Sequence, residues 1–104
     1  MREELIAIIL NIATEQNPTL PRVIEVERLG EAPLYGRGGP LDSLGLVRFI
    51  VEIEAAVEGR FGRPIVLADE RAMSQQRSPF RTVGALAEYV ANILNEPEVG
   101  KATP

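Results

Sequence analysis

The chain contains no cysteine, no histidine and no tryptophan. Without cysteine it can build no disulfide framework and no thiolate-ligated zinc or iron–sulfur centre. Without histidine it lacks the commonest general base at neutral pH, and neither a Ser-His-Asp nor a Cys-His nucleophile can be assembled. These gaps argue against chemistry by its own side chains, so a non-enzymatic role is expected. Cations are in the minority too, with 11 Lys+Arg against 15 Asp+Glu and a net charge of -4. A field of that sign repels phosphate backbones. The arginines run singly from Arg2 to Arg81 with no basic cluster, so no nucleic-acid partner is expected. A helix-turn-helix domain would need a basic recognition helix, which is missing. Long apolar runs are scarce as well. The longest, Leu5 to Leu10, is too short to cross a bilayer, and Glu3 and Glu4 precede it where a secretory signal is basic. It reads as part of an amphipathic helix, and a cytoplasmic protein without membrane insertion is expected.

What is present is enough for one small domain. The chain has 104 residues, 45% of them hydrophobic, a size that buries a slim core. A single domain is expected over 1–95, followed by a mobile tail over 96–104 that holds Pro97, Gly100 and Pro104. No internal repeat is visible.

The periodicity predicts an all-α fold. Residues 3–16 read as a helix, with Leu5, Ile8, Ile9 and Ile12 on one face. Glu3 and Glu4 complement its dipole, and Asn17-Pro18 ends it. Residues 17–41 read as a long loop, rich in proline and glycine but punctuated by apolar residues. Val23, Ile24, Val26 and Leu29 allow either a helical turn or an extended piece. Leu34 and Tyr35 are expected to anchor the loop to the core, and a connection of this length is often functional. Residues 43–59 read as a second helix, N-capped by Asp42 or Ser43, with Leu46, Ile50, Ile53 and Val57 as its buried stripe and Gly59 and Gly62 marking its end. A short helix is expected over 69–76, broken by Ser78-Pro79. Thr82 then caps a last helix of about 83–95, with Val83, Leu86, Ala87, Val90 and Leu94 in its stripe. Only Pro64-Ile65-Val66-Leu67 reads as a possible strand, and a lone strand has no partner. The sum is a four-helix bundle of three main helices and one short third helix, with a long first loop.

One segment carries chemistry. In Gly38-Gly39-Pro40-Leu41-Asp42-Ser43-Leu44-Gly45-Leu46 a serine stands where a glycine-rich loop becomes a helix. The first N–H groups of a helix lack intrahelical acceptors, and with the dipole they favour a negative group. A phosphate esterified to Ser43 would be well placed. The bland account of Ser43 is a plain N-cap, worth about 1 kcal/mol. Gly36, Gly38 and Gly39 do not make a nucleotide-binding loop, because no Gly-Lys-Ser/Thr follows. Glu52, Glu54 and Glu58 read as a solvated helix face, and no ligand-spaced cluster for a metal is present.

Asp42-Ser43-Leu44 at the start of the second helix resembles the signature of the acyl carrier and peptidyl carrier proteins, the phosphopantetheine-attachment domains. The resemblance runs from Leu5 to about Leu94. It takes in the first helix, the long loop, the short third helix and the segment Phe80-Arg81-Thr82-Val83-Gly84-Ala85-Leu86-Ala87-Glu88-Tyr89-Val90, which is similar to the last helix of such carriers. It is the tripeptide in this whole-domain setting that is specific. The resemblance implies an acyl-carrier-like bundle, a free-standing acyl or aminoacyl carrier. Ser43 would hold 4'-phosphopantetheine donated by coenzyme A through a phosphopantetheinyl transferase. Asp42 would help present Ser43, and Leu44 would pack against partners. The arm would carry its cargo as a thioester between enzymes of a fatty-acid, polyketide, lipid or non-ribosomal-peptide type of pathway. Implied partners are an acyl- or aminoacyl-activating ligase, an acyltransferase or a ketosynthase, met by the carrier as a monomer.

A helical wheel sets Leu44, Arg48, Val51 and Ala55 opposite the buried stripe. With Glu52 beside them, Leu44, Arg48, Val51, Glu52 and Ala55 are the candidate partner-docking residues. Arg48 and Gly45 stand where fatty-acid carriers often have acidic residues, which implies a specialised carrier with dedicated partners. Leu41 also fits the peptidyl or specialised style. Phe49, Ile50, Ile53, Ile65 and Leu86 are candidates to line an acyl-chain site between helices, and a plain core role also accounts for each. The alternative function is a helical protein-interaction module without a prosthetic group.

Overall fold

A computed structural model describes residues 2–36, 38–67 and 79–95. The expected short helix over 69–76 and the tail over 96–104 lie outside the described residues. The rest is mostly helical, with no strands among the described residues, as the periodicity predicts.

Helix α1 spans Arg2–Gln16 with Glu3 and Glu4 in its first turn. It buries Leu5, Ile9, Ile12 and Ala13. Ile8, expected in that stripe, is only half-buried; the face is centred one position round, so Ala13 takes its place. Helix α2 spans Ser43–Phe61 and buries Leu46, Phe49, Ile50, Ile53 and Val57. It runs straight through Gly59 and stops at Gly62, whose φ of 69° is left-handed and whose N–H closes the last turn on the Glu58 carbonyl. Helix α3 spans Val83–Asn95 and buries Val83, Gly84, Leu86, Ala87 and Val90. Leu94, expected in its stripe, is half-buried. Thr82 caps α3 as expected, its Oγ1 accepting from the Ala85 amide at 3.1 Å. α1 packs against both α2 and α3.

The first connection is held more firmly than a loop. Two 3-10 segments lie in it, Asn17–Thr19 and Val26–Glu31, the second broken into two turns by a kink at Leu29. The Asn17 side chain makes a two-point clamp on buried Ile24, donating to its carbonyl at 3.0 Å and accepting from its amide at 2.7 Å. The chain then runs extended alongside the entry to α3. Val83 N donates to Ala32 O, Leu34 N to Arg81 O and Tyr35 N to Phe80 O, at 2.7–3.0 Å. This pairing is too short to count as a strand, but it sinks Ala32 and Leu34 into the core. Gly30 and Gly84 let the second 3-10 segment press on α3; a Cβ at Gly84 would stand 2.8 Å from the Gly30 carbonyl oxygen.

Pro64-Ile65-Val66-Leu67 is not a strand, although Ile65 and Leu67 are buried and Val66 exposed in strand-like alternation. Its would-be ladder is replaced by a side chain: the Leu67 amide donates to the Glu54 carboxylate at 2.7 Å. Glu54 is therefore not part of a solvated acidic face.

Candidate functional site

The site is the junction of the first connection with α2. Asp42 is the N-cap, its Oδ1 accepting from the Gly45 amide at 2.7 Å. Ser43 is the first residue of the helix. The choice left open between them is settled by register, since Asp42 stands three residues before the amide it caps. Gly45 has a local reason here: a Cβ would lie 3.1 Å from that Asp42 oxygen and 3.4 Å from Leu41 Cδ2.

With capping done by Asp42, the Ser43 hydroxyl has no duty to the helix. Ser43 is exposed, and its Oγ lies 3.4 Å from the phenolic oxygen of Tyr35. Tyr35 is held over it from two sides. Its amide bonds to the Phe80 carbonyl, and Leu41 N, two residues before Ser43, bonds back to Leu34 O at 3.0 Å. The turn between is made by Gly36 and Gly38, both at positive φ. Gly39 passes so close to Leu34 that a Cβ would meet its carbonyl oxygen at 2.6 Å. Arg22, three residues past the first 3-10 turn, spans the gap, donating to the carbonyls of Gly38 and Gly39, both at 3.2 Å.

Beside Ser43 opens a groove of about 560 Å³ between α2 and the end of α1 with the turn after it. One wall is α2: Leu44, Val47 and Val51, which are 65%, 45% and 54% exposed. The other is Leu20 and Pro21, with Gln16 and Thr19 at the edge. Four of the five expected docking residues, Leu44, Arg48, Val51 and Glu52, line this groove. Ala55 is exposed but lies beyond it. Sequence reasoning missed Val47, although Leu44, Val47 and Val51 keep an i, i+3, i+7 spacing that marks an exposed stripe. It also missed Tyr35 and the Leu20–Pro21 wall, which only folding brings to α2.

Phe49, Ile50, Ile53, Ile65 and Leu86 are all buried in a single hydrophobic cluster of the described residues. No group of three or more potential metal ligands occurs among the described residues, and no described helix is long and apolar enough to cross a membrane. Compared with known proteins, the chain matches no family model, no curated protein and no solved structure.

Proposed function

We propose that this chain is an acyl or aminoacyl carrier with the carrier-type bundle, and that Ser43 is its attachment point for 4'-phosphopantetheine. The observation that supports this most is the division of labour between neighbours. Asp42 carries the cap, which leaves the Ser43 hydroxyl exposed at the start of a 19-residue helix. A serine serving only as a cap would hold an N–H of the first turn; here Asp42 does that.

The residues present suit the group. Ser43 supplies the oxygen for a phosphate ester. The free N–H groups and dipole at the start of α2 favour the negative charge that the ester brings. Tyr35 offers a hydroxyl within reach of the same oxygen. The arm supplies the thiol that the cysteine-free chain lacks. Activation, loading and transfer belong to partner enzymes, a transferase from coenzyme A first among them; the carrier works in the cytoplasm as a monomer and is not itself an enzyme. Its docking face mixes Leu44 and Val51 with Arg48 and Glu52, so partners read apolar shape as well as charge.

Co-expression with a broad-specificity phosphopantetheinyl transferase, followed by intact-mass measurement, tests this. The expected result is a gain of one phosphopantetheinyl group in the wild type and none in Ser43→Ala. Wild-type protein that stays unmodified with several transferases would point instead to an interaction module without an arm, acting through exposed Leu44, Val47 and Val51.

A further inference from the structure

The groove beside Ser43 has a built character that docking alone does not require. It begins at the attachment point, since Asp42 and Leu44, the two chain neighbours of Ser43, both line it. It then follows α2 for two turns through Val47 to Val51, a run of about 10 Å at the helical rise. These are the large apolar residues of α2 that turn away from the core, for Leu46, Phe49, Ile50, Ile53 and Val57 are all buried. Leu20 and Pro21 face them from the turn after α1. At about 560 Å³ the groove falls in the range of small-molecule sites, about 300–1,000 Å³ and mostly apolar with a few polar groups.

The charges choose the occupant. The groove carries Arg48 and Glu52 beyond the cap Asp42, one of each sign, and Arg48 makes no ion pair among the described residues. A strongly charged peptide would find no matching field along this wall. A neutral chain of amides and methylenes would find apolar walls with amide and hydroxyl groups at the rim, from Gln16 and Thr19.

From this we infer that the groove between α2 and the turn after α1 is a binding site for an uncharged chain tethered at Ser43: beyond its phosphate, which stays at the start of α2, the amide-and-methylene part of the arm and the first part of its acyl cargo lie along Leu44, Val47 and Val51 instead of entering the helical core. The inference rests on the proposed attachment at Ser43. Tethering makes a weak site sufficient, because a short flexible linker holds the chain at an effective concentration in the millimolar range. An open groove then shelters the cargo while leaving it free to swing to a partner.

The absence of cysteine allows a test that needs no transferase. Ser43→Cys creates a single thiol in the whole chain, and N-octylmaleimide places an alkyl chain there, with N-methylmaleimide as the short control. In methyl-labelled protein, the expected result is nuclear Overhauser contacts from the octyl chain to Leu20, Leu44, Val47 and Val51, unchanged on dilution and absent for the methyl control. Val47→Glu in the same background should abolish them while the core methyl resonances stay in place. Contacts to Leu46, Ile50, Ile53 or Leu86 would put the chain in the core and overturn the inference. An octyl chain without contacts, or with contacts that fade on dilution because a second copy supplies them, would overturn it equally. The carrier reading is judged separately by the mass gain at wild-type Ser43. A modified wild type with no groove contacts keeps the carrier and removes the groove site; groove contacts without modification keep an apolar-chain site and remove the carrier.

Discussion

The phenolic oxygen of Tyr35 stands 3.4 Å from Oγ of Ser43. The two residues belong to different elements, one on the extended strip that pairs with the entry to α3, the other opening α2. The contact therefore ties the orientation of the serine hydroxyl to the seating of the first connection.

Tyr35→Phe isolates that contact, since the ring and its packing remain. An exposed hydrogen bond contributes about 0.5–1 kcal/mol at most, so the melting temperature should move by only a few degrees. The rate at which a transferase modifies Ser43 should fall by about two- to fivefold, the same free energy read on a barrier. An unchanged rate would show that the phenol does not orient the hydroxyl.

Glu54 is the acceptor for the Leu67 amide, and a charged acceptor at a part-buried position contributes about 1.5–3 kcal/mol. Glu54→Ala should lower stability to urea by roughly that amount and speed hydrogen exchange at the Leu67 amide. Glu54→Gln keeps an oxygen in place and should lose less. Equal, negligible losses in both variants would mean that water replaces the carboxylate at no cost.

Two helical glycines should respond in opposite directions to alanine. Gly59 lies within α2 with open space around a would-be Cβ, so Gly59→Ala should stabilise by about 0.5–1 kcal/mol. At Gly84 the new Cβ would meet the Gly30 carbonyl oxygen at 2.8 Å, and Gly84→Ala should cost about 1–3 kcal/mol through the shift it forces. Thermal unfolding of the two variants beside the wild type reads both signs.

Leu29 holds φ 57° and ψ -127° at the kink that divides the Val26–Glu31 segment, a conformation open to glycine and strained for a residue with a Cβ. Its side chain is 60% exposed, so burial contributes little in return. Strain of about 1–3 kcal/mol, less about 0.5–1 kcal/mol for the extra freedom of an unfolded glycine, predicts a net gain for Leu29→Gly. Leu29→Ala keeps the Cβ and should give none. Chemical denaturation of both variants checks the difference.

The helices are legible in the sequence because their apolar residues recur at helical spacing and their ends are marked by Asp42, Gly62 and Thr82. Boundaries slip where a signal is ambiguous: Gly59 looks like a stop, yet the left-handed turn falls at Gly62. The candidate site is legible at Ser43 and along one wall of the groove. The facing wall is not, because Leu20 and Pro21 approach α2 only once α1 has packed. The pairing of Ala32–Tyr35 with the entry to α3 is likewise hidden. It uses backbone groups, which every residue has, between segments far apart in the chain. Glu54 reads as one more surface acid until the fold brings the Leu67 amide to it.

The strip of backbone bonds between Ala32–Tyr35 and Phe80–Val83 also bears on how hybrids of this chain would have to be made. A foreign segment grafted between α1 and α2 would arrive without the surface it is stitched to. The smallest transplantable unit is discontinuous: the first connection together with the lead-in to α3, including the Gly30 and Gly84 pair that lets them touch. A graft of the connection alone would leave the serine in place and its surroundings unmoored.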